Sequence, residues 1–178
     1  MIERLQAVLK YENRYVQVYD DAVQFPSGKK GTYLRIGPPP ERGHGVVVVA
    51  RYRDQFGLVR VYRYPIGEFQ WGFPRGFGDA GDSGPLDTAA RELEEELGVD
   101  GASLRLLGKL TPDSGMLSSR VYVVEALVES SDDRPSDLDE IESWRWMPQE
   151  ELIRCIGRGE IEDAFTLSAL MLLMAAAG

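Results

Sequence analysis

Cysteine and histidine are nearly absent from this chain, which has one of each, Cys155 and His44. A single cysteine excludes an intramolecular disulfide. Cys155 stands among Leu152, Ile153 and Ile156, an apolar helical context that suits an inert, packed thiol. A single histidine excludes multi-histidine zinc sites and argues against a Ser-His-Asp triad. What remains for a metal is a hard, oxygen-ligated ion, Mg²⁺ or Mn²⁺. Positive charge is also scarce. Lysine and arginine number 20 against 29 aspartates and glutamates, a net charge of −9, and no basic stripe exists to make a nucleic-acid surface. An acidic protein that handles phosphates needs metal ions to mediate the contact. Long apolar runs are missing too. The amino terminus, MIERLQAVLKYENRYVQ, carries early charges and lacks the apolar core of a secretory signal. The run near the other end, TLSALMLLMAAAG, is too short to span a bilayer and predicts a packed terminal helix with Met171 and Met174 in the core. The expectation is a cytoplasmic protein with no membrane partner. No internal repeat or low-complexity tract is present.

What is there suits one well-packed domain with a small appendage: 178 residues, 43% hydrophobic and 28% charged. Residues 14–19 and 31–36 predict two strands joined through Pro26-Ser27-Gly28-Lys29, an N-terminal hairpin or small sheet. Gly37-Pro38-Pro39-Pro40 then breaks the pattern, so residues 1–40 are expected to form this sheet and residues 41–178 the main domain. Strands are predicted at 46–50, 58–64, 69–73, 103–111, 120–128 and 143–147. A polar, acidic connection spans 130–142, and two helices close the chain at 148–156 and 165–177. Strands outnumber helices in a mixed order, which predicts an α/β sandwich of helices packed on a mixed sheet.

The chemistry concentrates in residues 72–99, GFPRGFGDAGDSGPLDTAARELEEELGV. Pro85 suits the first helical position, with Ser83 or Gly84 as cap, and Gly98 suits a left-handed end. At about 100° per residue, Glu92, Glu95 and Glu96 share one face, while Leu86, Ala89, Ala90, Leu93 and Leu97 share another. The apolar face is expected on a sheet and the acidic face outward. Arg91 lies four residues before Glu95 and four after Asp87, placed to orient a carboxylate. Like charges at this spacing repel, and they sit where the helix dipole prefers cations. A divalent metal answers both problems; a solvated acidic face is the plainer alternative, and spacing alone does not decide between them.

The stretch resembles the Nudix box, whose pattern is Gly, five residues, Glu, seven residues, then Arg-Glu-apolar-any-Glu-Glu-any-Gly-apolar. Arg91, Glu92, Leu93, Glu95, Glu96, Gly98 and Val99 match its second half, and Gly76 matches the opening glycine. Two departures stand out. The box glutamate falls on Asp82, and eight residues rather than seven separate it from Arg91. The likeness runs along nearly the whole chain and points to the ADP-ribose and ADP-sugar pyrophosphatase branch, through ERGHGVVVVA, VRVYRYP and SWRWMPQEELIRCIGRGEIEDAFTLSAL. Where that branch has Glu-Leu-Pro-Ala-Gly, this chain has Gly72-Phe73-Pro74-Arg75-Gly76.

The resemblance implies a Nudix-type α/β/α sandwich with a mixed sheet, plus a small N-terminal antiparallel sheet that packs across a homodimer. It implies Mg²⁺ (or Mn²⁺) held by Glu92, Glu95, Glu96 and the Arg75 carbonyl, with Arg91 fixing the carboxylates and Glu140 serving the attacking water. It further implies a nucleoside-diphosphate substrate met by Arg63, by Trp71 stacking on a base, and by Ser114 and Gly115 in the 111–120 loop. Ser119 stands where the branch often has a glutamate. The expected activity is pyrophosphate hydrolysis of an ADP-sugar such as ADP-ribose, with NADH or a dinucleoside polyphosphate as other candidate substrates. A nucleotide-sensing or protein-binding module with little catalysis is the alternative of a different class. Trp144 and Trp146 are expected in the core, and Tyr11 and Tyr15 near a partner's pocket.

Overall fold

The structure, a computed structural model, describes residues 1–40, 42–79, 81–130, 135 and 140–176. The expected acidic connection over 130–142 lies mostly outside the described residues. Within them the chain forms two β-sheets and three helices.

The larger sheet is built around β5 (Gly45–Tyr52), whose residues 45–50 are all buried. A strand buried on both faces needs a layer on each side. Val46, Val48 and Ala50 point toward α1 (Pro85–Leu97), where they meet Ala89, Leu93 and Leu97. Val47 and Val49 point the other way, into a cluster with Leu152 of α2 (Gln149–Gly157) and Ala169, Leu170 and Leu173 of α3 (Ala164–Ala176). The period of two along β5 thus feeds two cores, and the result is the expected α/β/α sandwich. β5 pairs in parallel with β10 (Val121–Leu127), while β9 (Ser103–Leu110) is antiparallel to β10, making the sheet mixed. β6 (Gln55–Arg63) carries β11 (Ile141–Pro148) and β7 (Glu68–Gly72), and β8 (Arg75–Phe77) lies against the start of β5. Trp144 and Trp146 pack against the first core, as expected.

The smaller sheet, the expected small antiparallel one, holds four strands where two were predicted. β3 (Gln17–Gln24) is antiparallel to β4 (Lys30–Gly37), with β1 (Glu3–Gln6) and β2 (Leu9–Glu12) also paired on β3. Both added strands are short and fully exposed, so neither shows the alternation of apolar and polar residues that reveals a half-buried strand. The predicted turn is present, with Gly28 at φ +83°. Within the sheet, Asp21 is 4% exposed and accepts a 2.8 Å hydrogen bond from Arg35 Nε. That bond draws the carboxyl below its ordinary range. β4 joins the rest of the chain through the 111–120 loop, where Ile36 donates to Met116 and accepts from Ser118.

Two local expectations are corrected. Met171 and Met174 are 64% and 54% exposed, because α3 buries Thr166, Ala169, Leu170 and Leu173 instead. A helix apolar all round carries no stripe from which its inner face can be read. On α1, Leu86 and Ala90 are exposed while Glu92 is buried, so part of the acidic face turns inward. Among the described residues no helix is long and apolar enough to cross a membrane.

Candidate active site

α1 begins and ends as its sequence predicts. Pro85 occupies the first turn, and Gly98 adopts φ 71°, its N–H bonding the Glu94 carbonyl. The N-cap, Gly84, contributes no side chain. Asp82 takes over much of that work. Its Oδ2 accepts from the Asp79 N–H at 2.9 Å and the Thr88 hydroxyl at 2.8 Å, and it faces Arg91 at 3.6 Å. The Asp79 amide, followed by Thr88 and Arg91, holds the Asp82 carboxyl below its usual range despite burial. The shorter carboxylate and longer loop therefore still tie the glycine turn to the helix. His44 is part of the same tie, with Nε2 3.2 Å from the Thr88 hydroxyl and its ring edge-on to Tyr122.

Gly76 explains itself by contact. β8 pairs with β5 through Val46 and Gly76, and a Cβ at Gly76 would overlap the Glu92 carboxylate. Glycine leaves free the space that the Glu92 carboxylate occupies.

Arg91 is the hub of the acidic face. Its guanidinium reaches Glu92 at 2.8 Å, Glu95 at 2.7 Å and the Phe77 carbonyl at 2.7 Å. Asp87, the other carboxylate in register, instead accepts from the Ser83 amide. Burial works against the Arg91 cation, but Glu92 and Glu95 outweigh it and raise its pKa. Burial lifts Glu92 to about 7 against the pull of Arg91. Burial and repulsion from Glu92 lift Glu96 to about 8, against the Arg75 main chain and the charges of Arg63 and Arg75.

Among the described residues no three acidic, histidine or cysteine side chains converge as a ready-made metal cluster. Glu92 and Glu95 are turned to Arg91, and Glu96, half-buried, meets the Arg75 main chain instead. Their chemistry nevertheless fits a hard cation. All three carboxylates line one cleft, and the charged forms of Glu92 and Glu96 lack enough positive charge to hold them ionised at neutral pH.

A pH dependence follows. Raised carboxyl pKa values stabilise the fold fully below the unfolded value, and that contribution is lost as pH climbs through 7 to 8. Asp21, Asp82 and Glu125, whose pKa values are lowered, act in the opposite sense and in a more acidic window. In EDTA, the Tm component from Glu92 and Glu96 is therefore expected to fall between about pH 6 and about pH 8.5, and Mg²⁺ to raise Tm more at the higher pH. Thermal melts at both values, with and without metal, check this, and a larger shift at low pH would count against these two carboxylates as ligands.

The cleft, of about 490 Å³, also gathers positive charge. Arg63 comes from the end of β6 and Arg75 from β8, and Glu140, just before β11, lines the same cleft. Burial, then the charge of Arg75, holds Arg63 below the ordinary arginine range. Arg75 is anchored from behind. Its Nη1 lies 2.7 Å from Asp163, and its guanidinium stacks on Phe165 with 4.3 Å to the ring centroid. Asp163 in turn accepts from the Thr166 amide and hydroxyl at 2.9 and 2.7 Å, while that hydroxyl accepts from the Phe73 amide. The glycine turn and the start of α3 are thus one polar unit.

Arg63, Arg75, Arg91, Glu92, Glu95, Glu96 and Glu140, all singled out from the sequence, meet in this cleft. Trp71, Ser114 and Gly115 do not line it. Trp71 packs against the second core, and Ser114 and Gly115 line a separate cleft of about 370 Å³ beside the N-terminal sheet. Sequence reasoning missed Arg42, Asp79 and Phe165 as cleft residues. For Arg42 the only signal was its place in the ERGHG segment; for Asp79 and Phe165 none existed beyond proximity to the glycine turn and to Asp163.

The NUDIX domain model matches residues 41–167. The chain is 26% identical over 168 residues to a CMP-5'-(N-acetyl-N-hydroxy-3-aminopropyl)phosphonate hydrolase of Streptomyces rubellomurinus, covering 94% of this chain and 80% of that one. It is 29% identical over 131 residues to an ADP-ribose pyrophosphatase of Mycobacterium tuberculosis, covering 71% of this chain and 63% of that one. A crystal structure of an ADP compounds hydrolase superposes with a TM-score of 0.83 at 25% identity, over 98% of this chain and 92% of the other. With the domain model matched over more than two thirds of its length, and the box residues gathered in one cleft, the chain belongs to the Nudix family.

Proposed function

We propose that this Nudix pyrophosphatase hydrolyses a nucleoside diphosphate linked to a second moiety, an ADP-sugar such as ADP-ribose. The observation that carries this is the shared cleft, which an acidic helix face and two arginines line together. The names of the relatives support the substrate class, since two of the three act on ADP compounds. Glu92, Glu95, Glu96 and the Arg75 carbonyl would hold Mg²⁺, or Mn²⁺, which when bound neutralises the diphosphate and activates a water. Arg91 holds Glu92 and Glu95 in position. Glu140 orients or deprotonates the water, and Arg63 takes substrate phosphate. Water adds to one phosphorus as the bridging P–O bond breaks, leaving AMP and a sugar phosphate. Residues 1–40 form the sheet through which two copies pair, and Ser114 and Gly115 would meet substrate only across such a dimer.

The test is a panel of ADP-ribose, NADH, a dinucleoside polyphosphate and a sugar nucleotide, with phosphate release coupled to phosphatase. Mg²⁺-dependent turnover highest on ADP-ribose is the expected result. No turnover above background on any diphosphate, with Mg²⁺ or Mn²⁺, overturns hydrolysis in favour of a nucleotide-sensing module.

A further inference from the structure

The cationic wall of the cleft has features that the metal helix does not use. Arg75 is held before any ligand arrives. Asp163 grips one Nη, Phe165 supports the face of the guanidinium, and the Thr166 and Phe73 bonds keep Asp163 from turning away. One carboxylate oxygen of Asp163 serves the α3 cap, so only the other faces Arg75. The remaining N–H groups of Arg75 stay available, since a guanidinium has five donors in a fixed fork. Arg63 beside it has a buried Nε with no hydrogen-bond partner among the described residues. A buried donor left unpaired is costly, and the charge of Arg75 adds to the burial penalty on the Arg63 cation, which Asp163, Glu96 and Glu140 offset only in part. Gly72 keeps this corner clear, because a Cβ there would stand 3.0 Å from the Thr166 hydroxyl and 3.3 Å from Asp163.

We propose that Arg63 and Arg75 form a two-guanidinium seat for one phosphate of the substrate, with Arg75 as a specificity-determining residue. The seat shares one cleft with the carboxylates and adjoins Glu96, so a diphosphate can place one phosphate on the guanidiniums and the other at the carboxylates. A single phosphate ester engages only one of the two and is discriminated against. This assignment deepens the hydrolase function proposed above and rests on it for the identity of the cleft. Anion binding at the seat needs neither metal nor turnover.

The experiment titrates inorganic pyrophosphate into the full-length protein in EDTA by calorimetry, and measures KM and kcat on the best diphosphate of the panel. Arg75→Ala is expected to weaken pyrophosphate binding by about tenfold or more, and to raise KM similarly with a smaller loss in kcat. Arg75→Lys should recover part of the affinity, since it restores the charge without the planar fork. Arg75→Met keeps an unbranched stem without the guanidinium, and should behave as Arg75→Ala even where the smaller residue loosens the turn. Circular dichroism and Tm verify that each variant is folded. A folded Arg75→Met protein whose pyrophosphate affinity and KM stay within about twofold of wild type overturns the seat, as does a wild type that binds no pyrophosphate. Pyrophosphate binding without hydrolysis of any diphosphate would instead overturn the hydrolase function and leave the seat standing.

Discussion

Glutamine in place of Glu96 is expected to lower kcat/KM by about three orders of magnitude while raising the Tm of the metal-free protein. The two effects share one cause. The Glu96 carboxyl is pushed up to about 8 by burial and by Glu92, so its charged form strains the fold unless a cation is near. Glutamine keeps the shape and an acceptor oxygen for the Arg75 main chain, but removes the charge. A metal-free protein above pH 8 then gains stability, whereas the Tm increase on adding Mg²⁺ shrinks. Ordinary damage to a core does the reverse, lowering stability and activity together. The combination is read from kcat/KM in Mg²⁺ and from melts in EDTA at about pH 8.5. Wild-type turnover in this variant would remove Glu96 from the metal set. A lower metal-free Tm would show that its charge is already satisfied by Arg63 and Arg75.

The second large effect is expected from Gly76→Ala, a loss of about a hundredfold in kcat/KM with the fold retained. A methyl group at this position overlaps the Glu92 carboxylate. Glu92 is 7% exposed, and the space open to it is the cleft it lines, away from Arg91. Either its side chain rotates off Arg91, or β8 lifts from β5 and takes Arg75 with it. Both displace groups assigned to the chemistry, and a misplacement on the order of 1 Å is enough to cost about two decades of rate. The paired measurement is kcat/KM with Tm. Activity within about threefold of wild type would mean that Glu92 can leave Gly76 without consequence, and would separate the glycine from catalysis.

These two residues mark how much was legible beforehand. The helix, its proline entry and its glycine exit follow from local preferences, and the apolar period located most of its packed side. The central strands are equally plain, because β5 is a continuous valine run and needs helices on both sides. β1 and β2 escaped notice because exposed four-residue strands leave no periodic trace. Met171 and Met174 were misplaced because α3 has apolar residues all round and its neighbours choose the inner face. Trp71, Ser114 and Gly115 were grouped with the helix, yet within one chain they stand elsewhere. The altered glycine turn could be seen but not interpreted. Gly72 and Arg75 acquire meaning only beside Asp163, Phe165 and Thr166, some ninety residues later.

By itself the sequence determined that the chain is an α/β protein, that one acidic helix with a glycine turn carries the Nudix-box residues, and that no multi-histidine or multi-cysteine metal site can form. Each of these depends on residue type and on spacing within a turn or two, which the chain carries locally. Tertiary structure alone decided that Glu92 turns inward, that its carboxylate takes the space a Cβ at Gly76 would fill, and that Arg63 and Arg75 join the helix in one cleft. Burial and the distance between charges set those outcomes. Both are properties of segments brought together from far along the chain, and neither can be read from the residues in between.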